Sequence, residues 1–152
     1  NSFMKLQEKI FELILKHQPK RTIHLFPWKQ MHKVVILIDK GDVSNIKHLL
    51  ESEGKQVDVF TMPDKKDICF FTERPKSNIR ETIQTRTYDL LIDLTQNPCL
   101  TMLYMGMYIQ AGFKTGRYTE KNIYDLTINT PAQEKPDFLY EQIVKYIQMV
   151  TQ

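Results

Sequence analysis

Residues able to do chemistry gather where two apolar runs stop. Asp39, Lys40, Gly41 and Asp42 follow Val34–Ile38, and Asp93, Thr95, Gln96 and Asn97 close the run Tyr88–Leu94. Carboxylates placed in this way can hold a divalent cation or take up a proton, while the neighbouring amine, hydroxyl and amides can contact a ligand. Acids at such ends more often close turns, so neither a resident metal nor a cofactor is read from them. No GxGxxG follows the first run and no GxxxxGK[ST] occurs anywhere. Asp42 also sets a carboxylate where a phosphate needs bare backbone N–H groups. A conventional dinucleotide or nucleoside triphosphate site is thereby excluded. Cys99 falls near a helix start, where a thiol can be activated, yet no partner histidine stands in its local context.

The elements that must position these groups follow from periodicity. Lys33–Asp39 is a continuous β-branched run, the pattern of a strand buried on both faces in a parallel sheet. A helix carrying Val43, Ile46, Leu49 and Leu50, opened by Asp42 or Ser44 and closed by Gly54, leads to a second strand over Gln56–Thr61. This is a βαβ unit, for which a right-handed crossover is the default. Ile68–Phe71 reads as a short strand, and Asn78 with Glu81 reads as a capping box for a short helix. After the strand Tyr88–Leu94, Asn97-Pro98 opens a nearly all-apolar helix running to Ala111 and stopped by Gly112. Phe113–Tyr118 and Ile123–Ile128 are further strands, and Pro136 to about Val150 is the last helix. Alternation of strand and helix predicts a three-layer, Rossmann-like α/β domain over 33–152 with a mostly parallel sheet of about five strands. In such sheets ligands bind beyond the carboxyl ends of the strands.

Residues 1–32 form an addition to that domain: an amphipathic helix from Met4 to about His17, then a basic connector. Leu6, Ile10, Leu13 and Ile14 make an apolar stripe on the helix, suited to the core or to pairing with another chain. From Leu13 to Ile38 there is no Asp or Glu, while Lys16, Lys20, Arg21, Lys29 and Lys33 contribute five of the positive charges. The whole chain carries a net +3, so the remainder is net negative. His17, His24 and His32 lie in the same stretch with Phe26 and Trp28. Such a stretch suits a phosphate, an anionic partner or a membrane surface, and it also fits a solvated connector whose aromatics tuck against the domain. The basic excess is too small for a sequence-specific nucleic-acid binder. Histidine spacings of seven and eight match no compact zinc motif.

Composition agrees with one globular domain. At 152 residues, with 41% apolar and 26% charged residues, the chain can bury a core. Five Gly and seven Pro exclude fibrous classes, and no run approaches the roughly 18 apolar residues of a spanning helix. Two cysteines cannot build a disulfide framework, which points to reduced thiols and a cytoplasmic setting. The chain opens Asn-Ser-Phe-Met, so the missing signal peptide says nothing of the native start.

Tyr88-Asp-Leu-Leu-Ile-Asp-Leu94, followed by an apolar helix and Ala111-Gly-Phe-Lys-Thr-Gly116, resembles the second half of the N-terminal domain of lipopolysaccharide heptosyltransferases. Val34–Asp42 is similar to that family's opening strand and Gly-Asp turn. The resemblance implies a general base on an acceptor hydroxyl at Asp42, with Gln96 and Asn97 as substrate contacts on a sugar or phosphosugar. Gln96-Asn97-Pro98 replaces the family's glycine-containing stretch, and its sugar-nucleotide half needs a second domain of similar size. The whole chain, with its basic N-terminal part, also resembles a family of small α/β proteins from Bacteroidetes that implies no activity. The leading expectation is therefore a non-catalytic, Rossmann-like module that binds a small molecule or protein, with a glycosyltransferase-like fragment as the alternative.

Overall fold

A computed structural model describes residues 1–131 and 135–151. In chain order the elements are α1 (Ser2–Lys16), β1 (Lys33–Ile38), α2 (Ser44–Ser52), β2 (Gln56–Thr61), α3 (Ser77–Ile83), β3 (Thr87–Asp93), α4 (Leu100–Tyr108), β4 (Gln110–Arg117), β5 (Leu126–Ile128) and α5 (Pro136–Val150). The five strands form one sheet in the order β2-β1-β3-β4-β5, parallel at every pair. Val34 lies opposite Val57 on one side and Leu90 on the other, so the two apolar runs are adjacent and co-directional.

Alternation along the central strands divides the core. Val34, Ile36, Ile38, Leu90 and Ile92 pack with α2 and α5, through Ile46, Leu50, Leu139, Ile143 and Ile147. Val35, Leu37 and Leu91 point the other way, onto α1, α3 and α4 through Phe11, Ile83, Met102 and Tyr104. Helices on both faces of the sheet make the three layers. Each of these buried aliphatic side chains contributes about 1.5–3 kcal/mol of burial.

The N-terminal part is tied into this frame. Trp28 and Met31 are buried, and Lys55, itself buried just before β2, donates Nζ to the carbonyls of Trp28 and Met31 at 2.7 Å each. Its ammonium also lies 4.3 Å from the Trp28 ring centroid. His24 N–H donates to Gly112 O at 2.9 Å, so the connector runs alongside the start of β4.

Several local expectations are corrected. Helix α4 stops at Tyr108, and Gly112 lies inside β4, because Ile109 is already extended and the chain turns straight into the strand. Ile68–Phe71 is no strand: Ile68 makes one isolated bridge to Pro75, and Cys69 C=O accepts from Glu73 N–H to close a tight turn. Asn78 caps nothing at α3, whose first turn lacks a side-chain cap; its Nδ2 donates to Asp67 instead. On α5 the spacing of Leu139, Ile143, Tyr146, Ile147 and Val150 predicts one buried face, but Tyr146 and Val150 are exposed and Tyr140 joins Leu139, Ile143 and Ile147 in the core.

Candidate functional site

Strand order reverses between β1 and β3, which is where an open parallel sheet opens a crevice. Asp39, Lys40, Gly41 and Asp42 arrive there from β1, and Asp93, Thr95, Gln96 and Asn97 from β3. Asp39 spans the gap. Its carboxylate accepts from Lys40 N–H (2.9 Å), Gln96 N–H (2.9 Å) and Asn97 N–H (2.8 Å). The amides that elsewhere cradle a phosphate are thus engaged by a carboxylate of the chain itself. Gly41, at φ +103°, makes the turn that an L side chain would strain.

Asp42 is exposed and turned onto the start of α2. Its Oδ1 accepts from Ser44 N–H at 2.8 Å, and that bonding holds its carboxyl below the ordinary aspartate range. Asp93 is buried; its Oδ1 accepts from Thr95 N–H (2.9 Å) and the Thr95 hydroxyl, and its Oδ2 from the Tyr124 hydroxyl. Burial pushes the Asp93 carboxyl up despite those donors, and burial beside Asp93 pushes the Tyr124 phenol well up. Buried Arg117 closes the far side, donating Nη1 to the carbonyls of Thr130 (3.1 Å) and Pro131 (2.6 Å). The space left between Asp93, Cys99, Met102, Arg117 and Tyr124 is about 20 Å³, room for about one water. The Cys99 thiol, half-buried there, is raised by burial and so is not activated.

A larger recess of about 480 Å³ opens elsewhere, where the connector crosses the junction of α4 and β4. Ligand pockets typically span ~300–1,000 Å³. Leu15, Met107, Tyr108 and Ile123 supply apolar wall, and Lys20, Arg21 and Lys114 supply the cations. Arg21 grips Asp125 bidentately (3.0 and 2.9 Å) and donates to Ala111 O at 3.2 Å. Asp125 in turn accepts from Lys114 N–H at 2.8 Å. The Lys114 side chain is buried, and its Nζ donates to Gly106 O (2.8 Å) and Met107 O (3.0 Å), carbonyls at the end of α4. A cation suits a helix C-terminus, yet burial, reinforced by Arg21 and opposed by Asp125, brings the amine down to about 7.

Of the basic residues singled out from the sequence, Lys20 and Arg21 converge on this recess. Lys16 is exposed on α1, Lys29 lines a different recess beside Trp28, and Lys33 lies at the start of β1 near Asp58 and Arg86. Lys114 escaped the sequence reading because it is an isolated cation within an otherwise ordinary strand. Its sole signal is a lysine at a position where alternation puts a core side chain. Among the described residues no group of three His, Cys, Asp or Glu is arranged to hold a metal, and no helix is long and apolar enough to cross a membrane.

The sequence pattern of a family of unknown function, DUF6913, matches residues 4–150, and the chain belongs to that family. No curated protein and no solved structure matches it.

Proposed function

We propose that this member of the family is a binding module with no reaction of its own, and that it holds a small organic anion between Lys20, Arg21 and Lys114. The observation that carries the reading is Lys114: a buried amine lining a recess large enough for a ligand, with two further cations in the same lining. In its charged form the amine carries a third N–H beyond the two directed to Gly106 and Met107, and it is that form which an anion would favour. The apolar wall suits a ligand that joins a carboxylate or phosphate to a hydrocarbon or aromatic body. At the other end of the sheet, engagement of Asp39 with the loop amides and of Asp42 with Ser44 favours binding over sugar transfer.

Titration with phenyl phosphate and with inorganic phosphate, followed by melting temperature, tests the reading. At about 100 times Kd a ligand adds about 2.7 kcal/mol. Phenyl phosphate is expected to stabilise the chain more than phosphate alone, and Lys20→Ala, a change at an exposed side chain, is expected to weaken that effect. Equal responses to the two anions, no response, or a response untouched by both Lys20→Ala and Lys114→Met would reject it.

A further inference from the structure

Helix α1 buries only part of its apolar surface. Gln7 and Phe11 face the domain, with Gln7 Nε2 donating to Phe71 O at 3.0 Å. Phe3, Leu6, Ile10 and Leu13 recur at intervals of three, four and three, so they form one seam along the helix. Phe3, Leu6 and Leu13 are exposed and Ile10 is half-buried. The seam continues onto a second element: Phe3 meets Phe71 edge to face at 5.6 Å, and Phe71 sits in the tight turn whose tip, Phe70, is 93% exposed. An aromatic side chain held almost wholly in water, beside an uncovered helix seam, marks a contact surface.

Charge identifies what covers it. Lys9 stands three residues after Leu6 and four before Leu13, and Lys16 three after Leu13, so with Lys5 they form a basic row along one edge of the seam. The acids beyond that row, Glu8 and Glu12, are taken up by Lys121 at 3.5 and 3.2 Å. Around Phe70, exposed Lys65, Lys66 and Lys76 with Arg74 outweigh Asp64, Asp67 and Glu73 by one charge, so the basic row of α1 carries most of the positive field. A second copy paired antiparallel through the seam would bring the two lysine rows side by side, which disfavours it. Apolar and aromatic side chains bordered by lysines are the composition of a helix and loop lying in the interface of an anionic bilayer.

We infer that α1 and the 69–74 turn together dock the chain on an anionic membrane surface, with Phe70 and the Phe3–Leu6–Ile10–Leu13 seam entering the headgroup boundary and Lys5, Lys9 and Lys16 meeting the lipid charges. The inference is independent of the ligand pocket, which the connector and the α4–β4 junction build. Flotation with phosphatidylcholine vesicles, with and without phosphatidylserine, tests it. The chain is expected to float with the phosphatidylserine vesicles and to lose binding as salt rises. Phe70→Ser removes a ring outside the core and is expected to lower partition by about tenfold or more while leaving the melting temperature unchanged. Neutralising Lys9 is expected to lower it about fivefold. No flotation, equal flotation with neutral and anionic vesicles, or flotation unchanged in both Phe70→Ser and Leu13→Ser would overturn the inference. So would a dimer, seen by light scattering, that dissociates on Leu13→Glu, since that result assigns the seam to a second copy.

Discussion

Tyr124 reaches the buried carboxylate of Asp93 through a gap that two glycines keep open. Its ring passes between α4 and β4 beside Gly106 and Gly116, and its hydroxyl ends on Asp93 Oδ2. A Cβ at Gly116 would stand 2.6 and 2.7 Å from the ring carbons Cε2 and Cδ2, whereas one at Gly106 would run into the hydroxyl oxygen.

This geometry separates two glycine substitutions that sequence alone would treat alike. Gly116→Ala and Gly106→Ala are each expected to cost about 1–3 kcal/mol through overpacking. Tyr124→Phe removes the hydroxyl, costing about 1–3 kcal/mol for the donor lost to buried Asp93. In double-mutant cycles by urea unfolding, Tyr124→Phe should offset part of the cost of Gly106→Ala and little of that of Gly116→Ala. Equal coupling at both glycines would contradict the placement of the ring.

Lys114 predicts a distinct alkaline response. Its folded value of about 7 lies below the 10.5 of free lysine. Between those values the unfolded chain holds a proton that the folded chain lacks, so stability rises with pH across that window. Below it both states are charged and this contribution has no slope. Lys114→Met is expected to abolish the rise, measured as melting temperature against pH. If the pocket binds an anion as proposed, phenyl phosphate affinity should also fall as the pH climbs through about 7 and Lys114 loses its charge. A parent and a variant with parallel stability curves would show that Lys114 does not titrate in this range.

Asp39 offers a gain-of-binding experiment. Asp39→Ala strips the amides of Lys40, Gln96 and Asn97 of their shared acceptor, at an expected cost of about 2 kcal/mol. The same change leaves N–H groups directed at an empty position, so inorganic phosphate should stabilise Asp39→Ala more than the parent. Calorimetry showing no difference in phosphate response would mean that those amides rearrange instead of waiting for an anion.

What was legible in the sequence tracks how locally each feature is determined. Val34–Ile38 and Leu90–Ile92 are apolar on both faces, the pattern of strands covered on both sides, and their β-branched content with strand–helix alternation around them points to a parallel sheet. Strand β4 was harder: Lys114, Thr115 and Arg117 are all buried, each satisfied by a carbonyl supplied from elsewhere. No periodicity in β4 itself reports those partners. Apolar residues run on through Ile109, one past the end of α4, and Ala111 follows Gln110 in β4, so composition could not mark the boundary. Ile68–Phe71 has the residues of a strand, but with Phe70 facing water and a turn closing at Glu73 its pairing stops at the single bridge from Ile68 to Pro75. The recess around Lys114 joins residues 20 and 21 to residue 114, a proximity made by the fold.

The clasp between Arg21 and Asp125 links positions 104 residues apart, and Glu8 and Glu12 wait in the same way for Lys121. During synthesis the first helix therefore leaves the ribosome long before its anchors exist. Until α4 emerges, Phe11 lacks the Tyr104 ring it packs against, and the buried side of that helix stays uncovered. While the intervening residues are synthesised this segment has no partner from α4 or from Lys121 and Asp125, a period in which exposed apolar surface invites chaperones or aggregation.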